Sequence, residues 1–127
     1  MTILQPMTQV EVPDYDLGLR GKFVRSDKSF APLAFCTISY GMSLIDDVAD
    51  TVFSNAANGY PDGIVVPDDD TRVDLPWRPG TSAVIADFVN KDGSPFGASA
   101  RGALKTLLEK YRELQLEPVL GFEYELW

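Results

Sequence analysis

The chain has no histidine and a single cysteine, Cys36, in its 127 residues. Those scarcities remove whole classes of chemistry. A Ser-His-Asp triad, a Cys-His pair and a histidine-based zinc site cannot be assembled from this chain. One cysteine cannot close an internal disulfide, which fits a reducing compartment. With no activating partner beside it in sequence, Cys36 reads as a small buried hydrophobe rather than a nucleophile. Positive charge is scarce as well: 11 Lys and Arg stand against 19 Asp and Glu, a formal net charge of −8 with no basic run. Such a balance argues against binding nucleic acid or an anionic membrane surface. There is no secretory leader and no apolar stretch approaching the ~20 residues a membrane helix needs, so a cytoplasmic protein is expected. Any catalysis must use carboxylates, Lys22, Cys36 or the residues of a partner.

What is present suits one globular core. The chain is 45% apolar and carries seven Phe, five Tyr and two Trp, enough for one domain. Residues 1–8 lack periodicity and read as a frayed end or short helix. From Gln9, Val10 and Val12 alternate with polar neighbours, and Leu19 to Val24 forms a second arm beyond a Pro13-Asp-Tyr-Asp turn. This is a β-hairpin pattern. Ser29 reads as the cap of a short helix through Phe30, Leu33 and Ala34. Residues 37–60 keep no sustained period while holding many apolar side chains, the mark of a long ordered loop. Ile64 to Val66 reads as a buried strand, Arg72 to Leu75 as a brief edge strand and Ala83 to Val89 as the strongest strand. Trp77, set among Pro76, Arg78 and Pro79, reads as a clamp against the core. Ala103, Leu104, Leu107, Leu108, Tyr111 and Leu114 recur at helical spacing, which predicts a helix opened by Ser99 or Ala98 with one buried stripe. Lys105 and Glu109 form an i,i+4 pair on it. One long helix laid across segregated strands predicts an α+β fold, a β-grasp-like roll.

The last eleven residues, Glu117-Pro-Val-Leu-Gly-Phe-Glu-Tyr-Glu-Leu-Trp127, alternate strictly. As a strand they would put Pro118, Leu120, Phe122, Tyr124 and Leu126 on one face, with Glu123 and Glu125 together on the other. Two carboxylates that converge on one point suit a hard divalent cation, although a solvated acidic strand face accounts for the same spacing.

Several stretches, taken in order, resemble the N-terminal domain of the glutamine synthetase family, and within it γ-glutamylpolyamine synthetases and similar glutamate–amine ligases. They are Leu19-Arg-Gly-Lys22, Gly59-Tyr-Pro-Asp62, Ile64-Val-Val-Pro-Asp68, Leu75-Pro-Trp-Arg-Pro-Gly80, Asp92-Gly-Ser-Pro-Phe96, the helix bearing Arg101, and Gly121-Phe-Glu-Tyr-Glu125. The resemblance implies an ATP-dependent ligase that forms γ-glutamyl phosphate and lets ammonia or an amine displace the phosphate. It implies a β-grasp domain over residues 1–116, with residues 117–127 as the first strand of a catalytic domain. Glu123 and Glu125 then match carboxylates that hold Mg²⁺ or Mn²⁺ around the nucleotide phosphates. It also implies a homo-oligomeric ring in which an acid on the 37–60 loop meets the ammonium or amine in a neighbour's active site. Ammonia-using members carry Asp-Gly-Ser-Ser there; this chain has Ile45-Asp-Asp-Val-Ala-Asp50, which favours a larger amine. Asp47 is the candidate, with Asp46 and Asp50 as rivals and a solvated loop acid as the plain alternative.

The remaining ligands, the nucleotide pocket and the glutamate site of that family are absent from these residues. The chain alone is therefore expected to bind no cofactor and to be inactive, as a fragment or a shortened homologue. A stand-alone β-grasp interaction module that offers its last strand to a partner is the competing expectation. An acidic metal buffer is a third and weaker one, because two carboxylates fall short of a Ca²⁺ shell of 6–8 oxygens.

Overall fold

The computed structural model describes residues 5–15, 18–43 and 45–125. Strands β1 (Met7–Pro13) and β2 (Leu19–Arg25) form the expected antiparallel hairpin. They are followed by β3 (Leu33–Cys36), β4 (Asp62–Pro67), β5 (Val73–Asp74), β6 (Thr81–Val89) and one helix, α1 (Ala100–Glu113). The strand order is β2-β1-β6-β4-β3, with β5 also on β6. The β1–β6 ladder is parallel and the other pairings are antiparallel. This mixed sheet with one helix is the α+β, β-grasp-like roll that the pattern implies. The sheet is curled, since Lys22 Nζ on β2 donates to the Ala34 carbonyl on β3 although these strands stand at opposite ends of the order. No helix among the described residues is long and apolar enough to cross a membrane.

The core lies on one face of the sheet. Thr8, Val10 and Val12 of β1 are buried in strict alternation. Val10 aligns with Val84 in the β1–β6 register, Ala86 joins the same buried cluster, and Phe88 pairs with Val65 on β4. Aromatic side chains fill this face: Tyr40 stands 5.1 Å from Phe88, ring centre to ring centre, and Phe53 stands 5.1 Å from Phe96. Tilted and edge-on contacts of this kind suit the ring quadrupoles.

Several expectations are corrected. Met7 and Thr8 already belong to β1, so the unpatterned start ends earlier than its spacing suggests; residues 1–4 lie outside the described set. The short helix after Ser29 is a strand instead. The Ser29 hydroxyl donates back to the Ser26 carbonyl, closing the preceding turn, and Pro32 disfavours helical backbone at Ala31. Trp77 is no clamp. The Leu75–Arg78 and Arg78–Thr81 turn bonds hold Leu75 inside and leave Trp77 78% exposed.

The helix is capped as expected, with Ser99 Oγ accepting from the Gly102 N–H at 3.0 Å. Its end is a Schellman turn: Leu116 N–H reaches the Tyr111 carbonyl, Gln115 N–H reaches that of Arg112, and Gln115 takes φ 58° where glycine is usual. Its apolar stripe is not buried. Leu104 and Leu107 are each about half exposed, and Gly102 is the one buried residue of α1. Residues 117–125 form no strand either; they run as exposed, unladdered chain, and residues 126 and 127 lie outside the description. Alternation confers only the capacity to be a strand. The ladder needs a partner edge, and no segment of the described chain offers one here.

Replacing Phe88 with alanine should cost about 3–5 kcal/mol through the cavity left among Tyr40, Phe35 and Phe96. Trp77→Ala should stay within about 0.5 kcal/mol. Urea unfolding of the two variants checks the contrast.

Candidate functional site

The loop between β3 and β4 is ordered by its own polar side chains. The Ser43 hydroxyl accepts from the Asp47 N–H at 3.2 Å and the Ile45 N–H at 3.3 Å, and Met42 bridges Val48. Gly41 makes this fold-back feasible, because a Cβ there would meet the Ala49 carbonyl oxygen at 2.5 Å. Further along, Thr51 and Ser54 exchange bonds and Asn55 pairs with Asn58. Serine, threonine and asparagine thus satisfy backbone groups that neither helix nor sheet serves, which is why the stretch shows no period.

This arrangement separates the three acids. Asp46, at φ 61°, pairs with Arg20 at 2.8 Å. Asp50 accepts from the Tyr60 hydroxyl at 3.1 Å, and that bond holds the phenol above its ordinary pKa. The Asp47 carboxylate is exposed, and no described residue pairs with it. Of the three, it is the acid left available to a cation from outside.

Glu123 and Glu125 are both exposed on the unladdered tail. Among the described residues no three His, Cys, Asp or Glu side chains assemble into a metal-holding group. As described, the residues do not fit a metal centre: two carboxylates on unpaired chain provide neither the ligand number nor the fixed geometry a divalent ion requires.

Sequence reasoning missed a four-charge cluster. Lys105 does not reach along the helix to Glu109; its Nζ donates to Asp68 at 2.6 Å and Asp87 at 2.5 Å. Arg101 meets the same two acids, with Nε 2.8 Å from Asp87 and its other arm on Asp68. In β6, Asp87 lies between inward-facing Ala86 and Phe88 and so points to the opposite side. The helix is thereby tied to β6 and to the end of β4 by charge, while its leucines stay half open. The signal was the i,i+4 spacing of Arg101 and Lys105, which puts two cations on one helix face. The Lys105 hydrogen bond, opposed by partial burial and aided by the charges of Lys105 and Arg101, holds the Asp68 carboxyl below its usual range. Burial works against the Lys105 ammonium, but the hydrogen bonds it donates to Asp68 and Asp87 hold it above the usual lysine value.

Solved structures share the fold. One described as a novel glutamine synthase homolog superposes with TM-score 0.68 over 90% of this chain and 29% of its own, at 21% identity. A GmaS/ADP complex superposes with TM-score 0.65 over 87% of this chain and 24% of its own, at 20% identity. In sequence, the type-1 glutamine synthetase 2 of Dictyostelium discoideum is 32% identical over 125 residues, 94% of this chain and 24% of that protein. A glutamate–isopropylamine ligase of Pseudomonas is 30% identical over 91 residues, 71% of this chain and 20% of its own length. No family model matches the chain. The chain belongs to the glutamine synthetase family, where it corresponds to the N-terminal domain. It spans about a fifth to a quarter of the length of these two relatives.

The charge cluster sets a pH window. Asp68 is depressed in the fold, so its contribution is present above the unfolded carboxylate value of ~3.9 and is lost as pH falls through the folded one. Lys105 is raised, so its contribution holds below ~10.4 and is lost as pH climbs past the folded value. Stability should be flat between those limits. Asp68→Asn should cost about 1–2 kcal/mol at neutral pH for this half-buried cluster and should flatten the acid limb. Urea midpoints measured from pH 2.5 to 7 read both effects.

Proposed function

We propose that this domain serves an ATP-dependent glutamate–amine ligase as its N-terminal part, with the exposed Asp47 carboxylate offered to the ammonium of the amine substrate in a neighbouring subunit of a ring. The observation that carries the reading is the similarity to a type-1 glutamine synthetase over 94% of the chain. The separation of Asp47 from the paired Asp46 and Asp50 supports the choice of residue. A free carboxylate attracts a protonated amine and weakens its hold as the nitrogen loses its proton to become a nucleophile. Likeness to a glutamate–isopropylamine ligase supports an amine larger than ammonia.

ATP and a divalent metal ion are part of the proposal for the complete enzyme. The residues described form no metal centre by themselves. In this reading Glu123 and Glu125 become ligands when residues 117–125 pair with further protein, which would bring both carboxylates to one side of the strand. The chain by itself makes no γ-glutamyl amide.

A graft tests this. When residues 1–127 replace the matching stretch of the Dictyostelium relative, the chimera should form γ-glutamyl amides from glutamate, ATP and an alkylamine, whereas the 127-residue chain should form none. In the chimera Asp47→Asn should raise the KM for the amine about tenfold, a loss of ~1.4 kcal/mol. Glu123→Ala should lower turnover by about 10²-fold, the scale on which removal of one charge-stabilising group is felt. Turnover that survives Glu123→Ala would remove the metal assignment, and an unchanged KM in Asp47→Asn would remove the amine assignment.

A further inference from the structure

The loop that carries Asp47 and Asp50 also contains Asn58-Gly59, and we infer that Asn58 is a built-in site of spontaneous deamidation, converted through a succinimide to aspartate and isoaspartate. The inference is independent of the ligase reading. In this reaction the Gly59 backbone nitrogen loses its proton and attacks Cγ of Asn58. An N–Cγ bond forms, the Cγ–Nδ2 bond breaks, and ammonia leaves with the proton. Water then opens the five-membered ring at either carbonyl, and nothing is oxidised or reduced.

Four features favour the step at this position. Asn58 and Gly59 are both exposed, so water and hydroxide reach them. No described residue accepts the Gly59 N–H, so the nucleophile is not tied up in a hydrogen bond. Gly59 sits at φ 73° with nothing within 4 Å of where a Cβ would stand, which leaves the chain free to close the ring. The Asn58 amide is bound only through its oxygen, which accepts from the N–H groups of Asn55 at 2.9 Å and Tyr60 at 3.2 Å; its NH₂, the leaving group, has no described partner.

The other two asparagines are internal controls. The Asn55 NH₂ donates to the Thr51 carbonyl at 2.8 Å, and alanine follows it. The Asn90 NH₂ donates to Ser94 Oγ at 2.9 Å and the Pro95 carbonyl at 3.0 Å, and lysine follows it. In both the leaving group is held and the next residue bears a side chain that crowds the attack.

The two products differ in consequence. Aspartate keeps an oxygen where Oδ1 accepts its two N–H bonds, so the turn persists with one more negative charge near Asp50. Isoaspartate moves the peptide through the former side chain and lengthens the backbone by one carbon. It withdraws one of the two acceptors of the Tyr60 N–H and leaves the Asn55 carbonyl, at 3.2 Å, as the other.

The folded 127-residue chain, incubated at 37 °C from pH 6 to 9 and mapped by peptide mass spectrometry in H₂¹⁸O, tests the site. Deamidation should concentrate at Asn58, run about tenfold or more ahead of Asn55 and Asn90, accelerate with pH and incorporate ¹⁸O. A tenfold lead corresponds to a barrier lower by ~1.4 kcal/mol. Asn58→Gln, whose attack would need a six-membered ring, should abolish the modification at that position and leave the fold intact. Rates at Asn58 no faster than at Asn55 and Asn90 in the folded chain, with Asn58 leading only in urea, would overturn the inference.

Discussion

The parallel ladder between β1 and β6 is the constraint from which the remaining architecture follows. It brings the first strand of the described residues against the last, across more than seventy residues, so the intervening segments must find places around it. Register then decides burial. Val10 lies beside Val84, and the same alternation carries Val12, Ala86 and Phe88 inward while Asp87 faces the other way. One edge of β6 holds β1 and the other holds β5 and then β4, so little of this strand is left to solvent or to another chain. A non-local ladder of this kind repays its loop-closure entropy late, and its stability rests on the aromatic cluster that covers it.

The helix is joined to this sheet differently from what its leucines suggest. Arg101 and Lys105 reach Asp68 and Asp87, while Leu104 and Leu107 remain half open. Charge fixes where the helix lies but contributes little to its net stability, because pairing offsets desolvation. Leu104 and Leu107 are about half exposed, and Leu120, Phe122 and Tyr124 beyond the helix are exposed as well.

Much of the fold was legible in the residues, for identifiable reasons. The β1–β2 hairpin and β6 carry period-two alternation, so local pattern and tertiary structure agree there, whereas α1 is legible from its helical spacing and serine cap although the stripe that spacing marks stays half open. The segment from Ser29 to Cys36 was misread because a serine hydroxyl can close the turn behind it as readily as cap a helix ahead of it. Trp77 was misread because size says nothing of direction when prolines on both sides fix the turn. In the tail, alternation records which faces a strand would have, whereas its pairing depends on an edge elsewhere. At the candidate site, Asp47 was named from its loop but distinguished from Asp46 and Asp50 only by their partners, Arg20 and Tyr60, which lie far away in sequence. The Asp68–Asp87 cluster went unseen because its members come from three separate elements.

The central claim is that residues 117–125 are strand-competent chain without a partner, and that Glu123 and Glu125 acquire a common direction only when that partner is supplied. Amide hydrogen exchange on the 127-residue chain measures this directly. Amides of residues 117–125 should exchange at the rate of unstructured peptide while those of β6 are protected to the limit of global unfolding. Protection in the tail comparable with that of β6 would mean the strand is already paired, and would contradict the account.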